Sequence, residues 1–206
     1  WILLAFGLNG KDSEQIQAFQ AFSQFLEKET LAHRRVLLIV DEAQNLGPEL
    51  LEELRLLSNL NKDKTPILQI ILSGQPVLRQ LLQRKDLTQF AQRVMVDYSL
   101  EPFNEADTLS YIAHRLQFAG RETPLFTYHA SRMIHLLTGG IPRLINSLAD
   151  LSLVWAFADG RHAVDLPTVV EAAHERSKGG LAPFACLEGE ATVERAKAMI
   201  LEDARP

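Results

Sequence analysis

Two carboxylates, Asp41 and Glu42, follow directly on five apolar residues, Val36-Leu37-Leu38-Ile39-Val40. A short apolar run rich in branched side chains predicts a buried strand. Such a strand delivers both acids to the carboxyl edge of a sheet, where open α/β folds bind their ligands. Asp41 offers the hard oxygens that Mg²⁺ prefers, commonly through water, and Glu42 can polarise a water for attack. Acidic residues also open loops after strands, so on these two residues alone both readings stand. Gln75 follows a second predicted buried strand, 67–72, which places it at the same edge, although within Gly74-Gln75-Pro76 it equally suits a turn. Arg143 comes after Gly139-Gly140 and Pro142, in the first turn of a predicted helix, where the backbone favours anions. Arg93 lies between a predicted helix and strand, and a guanidinium is always charged, with several donors for a phosphate.

The elements that must position these residues follow from apolar spacing. Ile16, Phe19, Phe22, Phe25 and Leu26 recur at helical intervals, and the polar stretch 31–35 leads from them into the strand over 36–40. Pro48 is placed to start a helix on which Leu50, Leu51, Leu54, Leu57 and Leu60 form one stripe. A turn over 61–66, a strand over 67–72, a helix over 76–91 and a third strand over 94–100 follow. Strands alternating with helices predict an α/β doubly wound parallel sheet with helices above and below it. Beyond Pro102 the strand signals stop. Asn104 with Asp107 forms a capping arrangement, and Leu109, Ile112, Ala113 and Leu116 make a helical face that ends before Gly120. Helices over 128–138, 142–158 and 167–174 complete a set of four, enough to bury a common core. The expected organisation is a core over 1–102, a helical domain over 103–176, and a tail over 177–206 made of a linker (177–182) and a helix (191–201).

Bulk composition narrows the function classes. With 206 residues, 47% hydrophobic and 23% charged, the chain is expected to fold and has room for a core and a small satellite. The 21 basic and 26 acidic residues give a net charge of −5, which provides no general attraction to nucleic acid or anionic lipid. Cys186 is the sole cysteine, so an intrachain disulfide or a cysteine-based zinc site cannot form, in keeping with a cytoplasmic location. Apolar runs such as 1–6 and 36–40 fall far short of the ~20 residues that span a bilayer. Trp1 in place of a methionine, with no basic segment before an apolar one, points to a trimmed sequence rather than a signal peptide. The six histidines show no His-Glu-x-x-His pattern, and no Gly-x-Ser-x-Gly elbow is present.

The string Val36-Leu37-Leu38-Ile39-Val40-Asp41-Glu42-Ala43-Gln44-Asn45-Leu46 closely resembles the Walker B segment of the ExeA-like, or general secretion pathway A, family of AAA+ ATPases. The resemblance continues through Leu54-Arg55-Leu56-Leu57-Ser58-Asn59-Leu60, Gly74-Gln75-Pro76, Gln92-Arg93-Val94 and Gly139-Gly140-Ile141-Pro142-Arg143-Leu144-Ile145-Asn146, covering roughly 1–176. It implies a P-loop NTPase of the AAA+ class, with a parallel-sheet core followed by a small all-α lid. ATP and Mg²⁺ are the implied ligands, with Asp41 holding Mg²⁺ through water and Glu42 polarising the attacking water. Gln75 takes the place of sensor 1 near the γ-phosphate, Arg143 that of sensor 2 in the lid, and Arg93 that of an arginine finger reaching a neighbouring subunit, with Arg84 as its rival. The implied protein is a homo-oligomeric ATPase driving assembly of a type II secretion or pilus machine in the cell envelope. It would work from the cytoplasm, at the inner membrane through segments absent from this sequence. The alternatives are a DNA-linked transposition-helper ATPase and a non-catalytic interaction module on the same fold.

One departure from the family is plain. No Gly-x-x-x-x-Gly-Lys-Ser/Thr string occurs. Gly7-Leu8-Asn9-Gly10-Lys11-Asp12-Ser13 fails as a phosphate loop because position 5 is Ala5 and Asp12 would repel phosphate where a Mg-binding hydroxyl is needed. By resemblance, residues 1–8 match the helix before Walker B, so the core is incomplete at its N-terminus and lacks the strand that normally separates the sensor-1 strand from the last one. That gap predicts altered strand pairing or exchange with another copy, and negligible ATP hydrolysis by these residues alone.

Overall fold

In chain order the first elements are α1 (Ile2–Ala5), α2 (Gln15–Leu31), β1 (Val36–Val40), a 3₁₀ turn (Ala43–Asn45) and α3 (Pro48–Leu57). They are followed by β2 (Asn61–Lys62), β3 (Thr65–Pro66), β4 (Leu68–Leu72), α4 (Val77–Leu82), a second 3₁₀ turn (Lys85–Leu87) and α5 (Thr88–Ala91). The structure is a computed structural model that describes residues 2–8, 15–62, 65–178 and 198. The chain divides into two units, Trp1–Ser99 and Leu100–Pro206.

In the first unit β1 and β4 are parallel and paired from Val36 with Leu68 to Val40 with Leu72, joined by a crossover through α3. The register puts Val36, Leu38, Val40 and Leu68 on one face, where they are buried against Leu3, Phe22, Leu26, Leu51 and Leu54. Phe6, Phe22 and Phe25 cluster with ring centroids 5.4 to 6.2 Å apart on the same core. Pro48 stands at the first position of α3, where its missing N–H is no loss.

Three expectations change here. The sheet was expected to be covered on both faces, but Leu37, Ile39 and Ile71 remain exposed, because the helices of this unit all contribute their buried residues to the core on the Val36 side. The third strand does not form: residues 94–100 lie outside any ladder, with Met95 96% and Leu100 88% exposed. A parallel strand draws its hydrogen bonds from a neighbour, and the described parallel sheet has only β1 and β4. Among the described residues, therefore, pairing is not rearranged and the parallel sheet stays two-stranded. Asp97 of this segment is instead held by Arg79, at 2.7 and 3.1 Å. The third change is the helix expected over 76–91, which breaks between α4 and α5. Arg84 leaves helical geometry and forks onto Asp86 at 3.0 and 2.8 Å, while Leu87 and Phe90 turn into the core. The turn expected over 61–66 holds a two-residue antiparallel ladder, β2 with β3.

The second unit contains α6 (Glu105–Phe118), α7 (Tyr128–Thr138), α8 (Pro142–Ala158) and α9 (Leu166–Lys178). Met133, Ile134, Leu137, Ile145, Leu148 and Val169 form its centre, each at most 1% exposed. Three of these four helices start on a side-chain cap. Asn104 accepts from the Asp107 N–H, Thr127 from that of Ala130, and Asp165 from both the N–H and the hydroxyl of Thr168. Apart from the end of α9 and residue 198, the expected linker and tail helix lie outside the described residues. No helix among the described residues is long and apolar enough to cross a membrane.

Candidate functional site

β1 ends at the edge where the chemistry was expected. Beyond Val40 its backbone stays tied to the segment leaving β4: the Ser73 N–H donates to Val40 O at 2.8 Å, and the Ala43 N–H donates to Ser73 O at 2.9 Å. Ala43 is fully buried, so the chain is anchored just past the two acids. Asp41 and Glu42 themselves are exposed. Glu42 has φ 51° and ψ 37°, the left-handed region. For a residue with a Cβ this costs about 1–2 kcal/mol and persists only where the surroundings hold it.

The two acids are ordered differently. Asp41 Oδ1 accepts from the Glu42 N–H at 2.9 Å. Its other oxygen has no protein partner among the described residues. Glu42 Oε2 accepts from Gln44 Nε2. Gln44 Oε1 in turn accepts from the Gln75 N–H at 3.1 Å. Asp41, Glu42 and the backbone of Gln75 are thereby brought to one edge, linked through a residue to which the sequence reading gave no role. The available signal was its position, two residues after Glu42 in the Asp-Glu-Ala-Gln string.

No cluster of three metal-ligating side chains occurs among the described residues. One or two carboxylates suit Mg²⁺ that takes its remaining ligands from phosphates and water, so Asp41, exposed and with an oxygen to spare, fits that ion.

The arginines separate clearly. Arg84 is held by Asp86; this hydrogen bond, then the opposite charge, raises its pKa, and the Asp86 carboxyl is lowered by the same bond. Arg93 sits on the turn after α5, exposed, with no side-chain hydrogen bond or ion pair among the described residues. Arg143 belongs to the second unit, in the first turn of α8. Gly139 and Gly140, with φ 59° and 75°, bring the chain to that helix, and a Cβ on Gly140 would lie 2.0 Å from the Phe103 carbonyl oxygen. The Ile141 cap offers no side-chain hydrogen bond to the first turn. A cation there opposes the helix dipole, an arrangement that becomes favourable when both face an anion. Asn146, from the same string, is structural: its Nδ2 donates to Tyr111 Oη at 3.0 Å.

Comparisons with known proteins bear on the family and the fold. An AAA domain matches residues 1–82. General secretion pathway protein A of Aeromonas hydrophila is 42% identical over 167 residues, 81% of this chain. The chain spans 30% of that relative's length. Among solved structures, Cdc6p from Pyrobaculum aerophilum superposes with TM-score 0.66 at 15% identity, over 98% of this chain and 61% of that one. A RuvB mutant from Thermotoga maritima gives TM-score 0.51 at 13% identity, over 74% and 49% of the two chains. At such identities these two structures speak to the fold alone, which is that of the P-loop AAA+ ATPases.

Proposed function

We propose, for a chain that belongs to the AAA+ ATPases of the general secretion pathway A family, that it is the Walker B and lid portion of an enzyme hydrolysing ATP to ADP and phosphate. The observation that carries this reading is the joining of Asp41, Glu42 and Gln75 at the carboxyl edge of two parallel strands. Mg²⁺, bound with ATP, would be held by Asp41 through water and would neutralise charge on the phosphates. Glu42, an acceptor when ionised, orients the attacking water and polarises it. The Gln75 side chain, exposed, hydrogen-bonds near the γ-phosphate. Arg143 pairs with the phosphates from the lid. Arg93 rather than Arg84 serves a neighbouring copy, because Arg84 is already engaged by Asp86. This makes the enzyme a homo-oligomer. The phosphate cradle is not among these residues, so hydrolysis is a property of the full-length protein. The kinship to general secretion pathway protein A supports a role in assembling a secretion or pilus machine at the inner membrane.

The test is Mg²⁺-dependent ATP binding and turnover by the full-length protein beside Asp41→Asn and Arg143→Ala. We expect Asp41→Asn to lose most Mg²⁺-dependent turnover. For Arg143→Ala, loss of a charge-assisted contact should lower kcat/KM by about tenfold to a hundredfold. A full-length protein that neither binds nor hydrolyses ATP would remove the reading. Mixing Arg93→Ala with Glu42→Gln should restore turnover that each lacks alone; failure to do so would remove Arg93 as the finger.

A further inference from the structure

Gln44 reaches both halves of the edge. Its Nε2 donates to Glu42 Oε2, and its Oε1 accepts from the Gln75 N–H at 3.1 Å. A side-chain amide carries a donor and an acceptor on one carbon, so it can join a carboxylate to an N–H, which neither a carboxylate nor an ammonium can do. The backbone leaves room for it: a Cβ on Gly74 would lie 2.5 Å from Gln44 Oε1. Its own backbone is fixed by the 3₁₀ turn, whose first residue, Ala43, is fully buried and donates to Ser73 O at 2.9 Å. Glu42, in its left-handed conformation, has no other side-chain hydrogen bond among the described residues.

We propose that Gln44 is a positioning residue: it aims the Glu42 carboxylate for water activation and couples that aim to the Gln75 segment, so that the ends of β1 and β4 respond as one unit. The inference rests on reading this edge as the ATPase site. It assigns Gln44 no contact with nucleotide. Its effect runs through Glu42, and movement at Gln75 reaches Glu42 through one amide. Sensing at Gln75 and water activation at Glu42 are then mechanically linked.

The test uses the full-length protein. Gln44→Met keeps the length and apolar stem but neither hydrogen bond, whereas Gln44→Glu keeps the acceptor for Gln75 and sets a carboxylate against Glu42. Both should lower kcat by about tenfold to a hundredfold, as for one lost hydrogen bond to a charged group, with little change in KM for ATP. In a Glu42→Gln background the same substitutions should have little further effect, because coupled positions are not additive. A readout independent of turnover is the ¹⁵N–¹H spectrum of protein labelled at glutamine. The Gln75 backbone amide should shift in Glu42→Ala, and that shift should vanish when Gln44 is replaced by Met. An active protein in which Gln44→Met keeps wild-type kcat would overturn the role of Gln44 alone. So would losses that multiply independently with Glu42→Gln, or a Gln75 amide that responds to Glu42 without Gln44. A protein with no ATP binding or turnover would overturn the site reading and the role together.

Discussion

In residues 100–178 four helices, three of them started by a side-chain cap, close around Met133, Ile134, Leu137, Ile145 and Leu148, whereas in the first unit a two-stranded parallel sheet is packed on one face and leaves Leu37, Ile39 and Ile71 on the other. The two units differ in where their backbone hydrogen bonds go. A helix satisfies its own N–H and C=O groups, and needs only caps and an apolar stripe. A strand depends on its neighbour. Residues 94–100, with no pairing neighbour among the described residues, therefore stay outside any ladder and exposed despite an apolar sequence. The candidate chemistry sits in the less self-sufficient region, at an edge held by two backbone hydrogen bonds and one side-chain amide. The second unit carries Arg143, the proposed phosphate contact, in the first turn of α8.

If that contrast is right, stability should be far more sensitive to substitution in the helical unit than on the open sheet face. Leu148→Ala, emptying a fully buried position, should destabilise the second unit by about 2–5 kcal/mol in chemical denaturation. Gly140→Ala should cost about 1–3 kcal/mol through its left-handed backbone, with more from displacement of Phe103. Denaturation curves that match wild type for either would break the contrast. A gentler probe is pH. The Thr168 hydroxyl, then the Thr168 N–H and Arg161, hold the Asp165 carboxyl below its ordinary value. A depressed folded pKa means this stabilisation is complete above the unfolded value near ~3.9 and is lost as pH falls through the folded one. The melting temperature of the second unit should drop in that acid window, and Asp165→Asn should flatten the drop. At the small end, Ile39→Thr on the open face should change stability by no more than about 0.5 kcal/mol. A loss of several kcal/mol there would mean the face is covered in solution.

These regions also differed in how far they could be read from sequence. Apolar periodicity located the four helices of the second unit, and Asn104 with Asp107 marked the start of α6, because helix signals are local. β1 and β4 were legible as short apolar runs. The strand over 94–100 was not, since a strand is a property of pairing and its sequence looks the same paired or unpaired. The break between α4 and α5 depends on the Arg84–Asp86 fork together with burial of Leu87 and Phe90, which a helical pattern does not foretell. At the site, Asp41, Glu42 and Gln75 were visible as residues following strands. The Gln44 bridge was not, because it exists only once the β1–β4 register sets Gln44 beside Gln75.

The most direct measurement is ATP turnover and ATP binding by the full-length protein with Glu42→Gln. General-base assistance is worth about 10²–10⁴-fold, so turnover should fall by that order while ATP binding is retained. Wild-type turnover in Glu42→Gln would contradict the assignment of the β1 edge as the catalytic one.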